Sequence, residues 1–217
     1  MSFSIKSLIA TAALLLATLS SAHAQIADAP TSVRPLLNGL NAPLEAQVQR
    51  LTGEKVELKQ LMAGKPTVLV FYRGGWCPFC NTQLAGLRSI EKPLADAGYQ
   101  LIALSPEPID AAAKVKAETD KAPLSYQLYS DAGLQAMQAF GIAYYMDAKT
   151  EAIYRQSYGI KLTYDATGKA VLPAPAVFIL GADGTILFSY VHVNYKTRLA
   201  PELLLHAAQL AAKPQTK

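Results

Sequence analysis

Thr67-Val68-Leu69-Val70-Phe71-Tyr72-Arg73-Gly74-Gly75-Trp76-Cys77-Pro78-Phe79-Cys80 is the stretch that decides the reading of this chain. Its first six residues are a continuous β-branched and aromatic run, the pattern of a strand buried on both faces. Arg73-Gly74-Gly75 then offers a turn. Beyond Pro78 the period changes, and Leu84, Leu87, Ile90 and Leu94 recur at helical spacing. A strand, a short turn and Cys-x-x-Cys opening a helix form a specific arrangement. Free backbone N–H groups and the positive end of the helix dipole favour a thiolate at Cys77. Cys80, one turn further on, is placed to attack a mixed disulfide formed there.

Cysteine usage agrees with this chemistry. Cys77 and Cys80 are the only two cysteines among 217 residues. A bridge between them closes so small a loop that it restrains little of the unfolded chain, so the pair is poorly explained as a staple. A structural zinc site would need two more N or S ligands. Only three histidines exist, and His23 lies in the expected leader, which leaves His192 and His206. Reversible redox chemistry is the better account.

Working outward, residues 25–44 carry Pro30, Pro35, Asn38-Gly39 and Pro43 and read as an extended lead-in. Ala46 to Leu51 and Lys55 to Leu58 alternate around Thr52-Gly53, which predicts a hairpin. Downstream of the motif, Pro93 is expected to kink or divide the helix and Gly98 to end it. Tyr99 to Leu104 reads as a strand, Ile109 to Thr119 as a helix, Tyr126 to Tyr129 as a strand, and Leu134 to Phe140 as a helix stopped by Gly141. This β-α-β-α order implies a parallel core sheet with helices on its faces. Residues 141–172 interrupt the rhythm: Asp147 is placed to cap a helix over Ala148 to Tyr158, and an irregular hairpin follows around Thr167-Gly168. Ala176 to Leu180 and Ile186 to Tyr190 are strands joined by Gly181-Ala182-Asp183-Gly184, and Pro201 to Ala212 is a closing amphipathic helix. Neither a repeat nor a linker supports a second domain.

The first residues look like a leader. Lys6 supplies a positive start, Leu8 to Leu19 is apolar apart from Thr11 and Thr18, and Ala22-His23-Ala24 presents small residues where a signal peptidase reads. Residues 1–24 are therefore expected to be a signal peptide cleaved after Ala24, an uncleaved N-terminal anchor being the alternative, with residues 25–217 the mature domain, periplasmic or secreted and outside the membrane. The formal charge is +4, or +3 without Lys6, the one charged side chain of the leader. That is too small, and its residues too scattered, to argue for a nucleic-acid partner.

Val70 to Cys80 resembles the active-site segment of the peroxiredoxin-like branch of the alkyl hydroperoxide reductase/thiol-specific antioxidant family. The similarity continues through Leu101-Ile102-Ala103-Leu104-Ser105-Pro106-Glu107 and the strands at 176–190. The resemblance implies a thioredoxin-like α/β fold: a central mixed sheet flanked by helices, an N-terminal hairpin extension, and an insertion before a strand led by a cis proline. It also implies either hydroperoxide reduction or disulfide exchange, with a thiol as electron donor and no cofactor. Two departures stand out. The family carries Pro-x-x-x-Thr-x-x-Cys, in which the threonine and a distant arginine position the peroxide; aligning Phe71-Tyr72 with its Phe-Tyr puts Cys80 on the peroxidatic cysteine, Cys77 on the threonine and Arg73 on the proline. Read as a thioredoxin instead, Cys77 attacks and Cys80 resolves, but Phe71 stands where thioredoxins carry a buried acid. Decay of the helix dipole within one turn favours Cys77 as the attacking thiol.

Three further residues are candidates for substrate contact. Pro175 is the expected cis proline facing the cysteines, with Pro173 as a rival. Trp76 is placed either to touch substrate at the rim or simply to pack beside the turn. Arg73 is placed to lower a thiol pKa or hold an acidic group, or else is a solvated turn arginine. Tyr144, Tyr145, Tyr154, Tyr158 and Tyr164 crowd the interrupting segment, where their spacing favours a small auxiliary core over a substrate-facing wall. The leading function is an exported thiol oxidoreductase acting on hydroperoxides or on protein or small-molecule disulfides. A disulfide reductase without peroxidase activity is the nearest rival. A copper-binding module using Cys77, Cys80 and His192 is the outsider.

Overall fold

The computed structural model describes residues 25–119 and 127–212, so the expected leader and Tyr126 lie outside the described residues. Its centre is β3 (Thr67–Phe71), every residue of which is buried. Because side chains alternate across a strand, β3 serves two cores at once. Leu69 and Phe71 enter one cluster, and Val68, Val70 and Tyr72 the other. On the first face Phe71, Phe140 and Phe178 meet with ring centroids 4.8–6.0 Å apart. Burial of each such ring contributes about 1.5–3 kcal/mol.

The main sheet has the order β2-β1-β5-β4-β3-β8-β9. β4 (Gln100–Ser105) runs parallel to β3, and β5 (Gln127–Ser130) parallel to β4. β8 (Ala176–Leu180) and β9 (Ile186–Val191) add on antiparallel, as do β1 (Gln47–Gln49) and β2 (Lys55–Glu57) at the other edge. The parallel centre and mixed periphery match the expected thioredoxin-like sheet. α2 (Pro78–Leu87), α3 (Glu91–Asp96) and α7 (Pro201–Ala211) cover the face that holds both cysteines, while α1 (Leu58–Met62) and α5 (Gln135–Ala139) cover the other. α4 (Ile109–Thr119) connects β4 towards β5.

Several local expectations shift. Leu58 begins α1 instead of ending a strand, because Glu57 and Gln60 form a reciprocal capping box and Leu58, Leu61 and Met62 turn inwards. α2 and α3 are separated by a single tight turn at Arg88–Ile90. Pro93 explains the break, since it lacks an N–H and its ring collides with the carbonyl four residues back. The insertion contains an unforeseen strand, β6 (Ala143–Tyr145), paired with β7 (Val171–Pro173) in a second small sheet. Asp147 does cap α6 (Ala148–Gln156), its carboxylate accepting from the Thr150 N–H at 2.9 Å.

Two expectations are corrected. The described residues contain no cis peptide bond, so Pro175 is trans. The chain passes from β7 into β8 without reversing: Ala174 donates to the Ile142 carbonyl at 2.9 Å, and the Pro175 carbonyl accepts from the His192 N–H at 3.2 Å. Pro175 thus extends the pairing of β8 with β9 by one residue. The tyrosine-rich insertion forms its auxiliary core only in part: Tyr144 packs with Leu172 and Ala174 in a small third cluster, and the other four tyrosines stay outside it. α6 buries no residue, Tyr158 is 68 % exposed, and of the five tyrosines only Tyr144 is buried. α6 lies on the surface because its residues are mostly polar, and the one strongly apolar side chain, Ile153, faces outwards.

Candidate active site

The site grows out of the carboxyl ends of two adjacent parallel strands, the place where open α/β sheets present functional groups. β3 delivers Tyr72 to Cys77, and β4 delivers Glu107 beside them. Gly74 has φ +145°, and a Cβ there would lie 2.4 Å from Trp76 Nε1 and 2.7 Å from the Glu107 carboxyl carbon. Only glycine allows the turn to pass this close. The Gly75 N–H donates to Glu107 Oε2 at 2.8 Å, and the Gly75 carbonyl accepts from Asn81 Nδ2 at 2.8 Å.

Cys77 occupies the N-cap of α2 with Pro78 at the first helical position. Its N–H donates to the Gly74 carbonyl at 3.1 Å, and its own carbonyl accepts from the N–H groups of Cys80 and Asn81. Both thiols are free and buried, Cys77 being 1 % and Cys80 0 % exposed. The Cys77 thiol is lowered to about 6, chiefly because the Cys80 thiol hydrogen-bonds to it. The Cys80 amide and the charges of Arg73 and Arg198 act in the same direction and outweigh burial. Cys80 is pushed well above its ordinary range by burial and by sharing its proton with Cys77.

Arg198, from the segment between β9 and α7, donates through Nη2 to Cys80 Sγ at 3.2 Å and to Cys77 Sγ at 3.8 Å. The nearer cation therefore sits on the sulfur that keeps its proton. The two facts fit one chain, in which Arg198 N–H points to the Cys80 sulfur and the Cys80 S–H points to a Cys77 thiolate. Arg198 Nε and Nη1 are buried without a hydrogen-bond partner, so the sulfurs are its only described partners.

Arg73 is not a solvated turn residue. It is 3 % exposed, and its guanidinium lies 4.2 Å from the Tyr195 ring centroid, 5.1 Å from Trp76 and 5.6 Å from Tyr154. Its Nη2 donates to Tyr154 Oη at 3.4 Å. Aromatic faces thus hold a buried cation in place of a carboxylate. Trp76 packs edge-on against Tyr154, which packs in turn against Tyr158, a row of rings leading from the turn to the surface. Tyr195 also meets Phe79, so the segment after β9 roofs the cysteines.

Sequence reasoning placed Cys77, Cys80, Arg73 and Trp76 in one neighbourhood, and the structure brings them together. Pro175 lies at the start of β8, in its own trans geometry. Arg198, Glu107 and Tyr195 were missed as site residues, and Tyr154 was weighed only as one of a group of aromatic residues. An acid directly after a parallel strand was a readable sign for Glu107. Nothing local marks Arg198. His192 is drawn elsewhere: its Nδ1 accepts from the Asn194 N–H at 3.0 Å, and among the described residues no cluster of three metal-ligating side chains forms.

A thioredoxin-like sheet with a buried dithiol at the strand–helix junction is the frame of a thiol-dependent oxidoreductase. The chain matches the AhpC/TSA family over residues 39–189 and belongs to it. Similar solved structures include peroxidoxin BcpB from Mycobacterium tuberculosis, with 19 % identity and TM-score 0.60, covering 81 % of this chain and 95 % of that one. Peroxiredoxin Q from Xanthomonas campestris is 18 % identical with TM-score 0.61, covering 82 % and 99 %. Reduced Prx3 in complex with H2O2 from Vibrio vulnificus is 17 % identical with TM-score 0.63, covering 80 % and 99 %. At these identities the likeness is one of fold. A search of curated proteins finds no match to the sequence. Arg198 lies beyond the segment that matches the family.

Proposed function

We propose that this protein is an exported peroxidase that reduces hydroperoxides with a self-contained Cys77–Cys80 couple. The observation that carries the proposal is the chain Arg198–Cys80–Cys77, which leaves the charge on Cys77 and the proton on Cys80. The Cys77 thiolate attacks one peroxide oxygen; an S–O bond forms, the O–O bond breaks, and the alkoxide leaves to take a proton from water. Cys77 is then a sulfenic acid. The Cys80 sulfur attacks it, an S–S bond replaces the S–O bond, and hydroxide departs as water with the Cys80 proton. Two electrons and two protons from an external thiol donor restore the pair.

Burial of both sulfurs suits a small oxidant better than a protein disulfide. The test is to mix reduced protein with hydrogen peroxide, with cumene hydroperoxide and with a protein disulfide, and to compare rates of thiol loss. A hydroperoxide is expected to be fastest. Slow oxidation by every hydroperoxide together with rapid disulfide exchange would establish the disulfide reductase reading instead. Export rests on Lys6, the apolar run Leu8 to Leu19 and Ala22-His23-Ala24. It predicts a mature chain beginning at Gln25 when protein from the native cell is weighed by mass spectrometry, and an intact Met1 start would refute it.

A further inference from the structure

Glu107 has no part in the steps above, yet it is built into the turn that carries Cys77. It stands just after β4 and is 4 % exposed. Its Oε2 accepts from the Gly75 N–H at 2.8 Å and from Ser105 Oγ at 3.4 Å. Gly74 lies flat against the carboxyl group, so close that no side chain fits between them. With Asn81 holding the Gly75 carbonyl, the turn is gripped from two sides, one of them a carboxyl group with no described ion pair.

The groups facing Glu107 come from every neighbouring element. The turn presents Cys77, β4 presents Ser105, and α4 presents Asp110 and Lys114. The segment after α6 presents Tyr158 and Lys161, and the Lys161 ammonium is held by Asp110 at 2.8 Å. Between them lies a cavity of about 320 Å³, walled by Trp76 and Tyr158 and open to solvent. Glu107 thus has the Cys77 turn on one side and a path for protons on the other.

We propose that Glu107 is a positioning residue for Cys77: its carboxyl group holds the turn, and its charge, exchanged with solvent through the Trp76 cavity, sets the pH at which Cys77 becomes a thiolate. Burial raises the Glu107 titration above the ordinary carboxyl range, and the Cys77 charge pushes it the same way. Two negative charges then compete within one turn, and each disfavours the other. A neutral side chain at position 107 favours the thiolate.

The inference rests on Cys77 being the reactive thiol, but its test reads the thiolate directly and needs no peroxide turnover. Reduced wild-type and Glu107→Gln proteins are alkylated with iodoacetamide across pH, and modification of Cys77 is followed by mass spectrometry. Glutamine keeps an acceptor for the Gly75 N–H, so the turn is retained. The Cys77 midpoint is expected to move down by about half a unit or more, the size expected for losing a nearby like charge. The reciprocal measurement uses wild-type protein only: the Glu107 carboxyl carbon is titrated by NMR in the reduced and disulfide forms. Glu107 should titrate at lower pH once the Cys77 charge is gone. An unchanged Cys77 midpoint in a Glu107→Gln protein of normal thermal stability would overturn the inference. So would identical Glu107 titrations in the two redox forms, which decide the matter should the variant not fold.

Discussion

Cys77→Ser is expected to abolish hydroperoxide consumption, a loss on the order of 10³-fold or more, because it removes the proposed nucleophile itself. Serine at the N-cap of α2 leaves the helix start intact and even adds a good capping oxygen, so the loss is chemical and not a failure to fold. Cys80→Ser behaves differently. The serine hydroxyl replaces the Cys80 thiol as a hydrogen-bond donor to the Cys77 thiolate, and Arg73 and Arg198 stay nearby, so one equivalent of peroxide is still consumed. The resulting sulfenic acid then has no partner, since the chain has no third cysteine. Rapid-mixing measurement of the first turnover, with trapping of the sulfenic acid and mass analysis, separates the two variants. If Cys77→Ser kept the burst and Cys80→Ser lost it, the roles would be reversed, as the alignment of Phe71-Tyr72 with the family suggests.

The second large effect belongs to Arg198. In Arg198→Met the Cys80 sulfur loses its 3.2 Å donor and Cys77 loses a cation 3.8 Å away. Both changes disfavour the negative charge, so the Cys77 midpoint rises from about 6 towards neutrality or above. Part of the side chain is reachable by solvent, which screens the charge and moderates the shift. A rise of about one unit is the expectation. At neutral pH the thiolate fraction falls and the leaving alkoxide loses a stabilising cation, which together predict a rate lower by roughly 10- to 100-fold. Thiolate absorbance against pH gives the midpoint, and second-order rate constants across pH give the rest. Arg198→Lys should recover part of the rate, keeping the charge without the fork of donors. A midpoint and rate equal to wild type would remove Arg198 from the site.

How far the site could be read in advance depends on how local each contact is. The strand, glycine turn and helix start from Thr67 to Cys80 are contiguous, and each signal in them agrees with the next, so the cysteine geometry was legible. Arg73 was placed but its environment was not, because Tyr154 and Tyr195 reach it from 81 and 122 positions along the chain. Arg198 comes 118 residues after Cys80, from a segment with no pattern of its own. The exposed α6 defeated a spacing argument: aromatic residues at helical intervals signal a core only when the helix is pressed against something. Pro175 shows the opposite failure, in which a fold-level analogy supplied a cis bond that the continuous path from β7 to β8 does not use.

The edges of the matched segment carry a practical consequence. The family match spans residues 39–189, but the lead-in is stitched to the body ahead of it. Ala27 pairs on both sides with Ala143 and Tyr145, Arg34 donates to the Gly141 carbonyl, and Leu36 donates to Phe140. Gly141 is packed so tightly under Arg34 that a methyl group would lie 2.0 Å from its carbonyl oxygen. At the other end, Tyr195, Arg198 and α7 all follow the match. A fragment trimmed to the family boundaries would therefore retain both sulfurs yet lose their roof, one of their two cations and the helix that closes their core. The unit of recognition and the unit of chemistry have different borders in this chain.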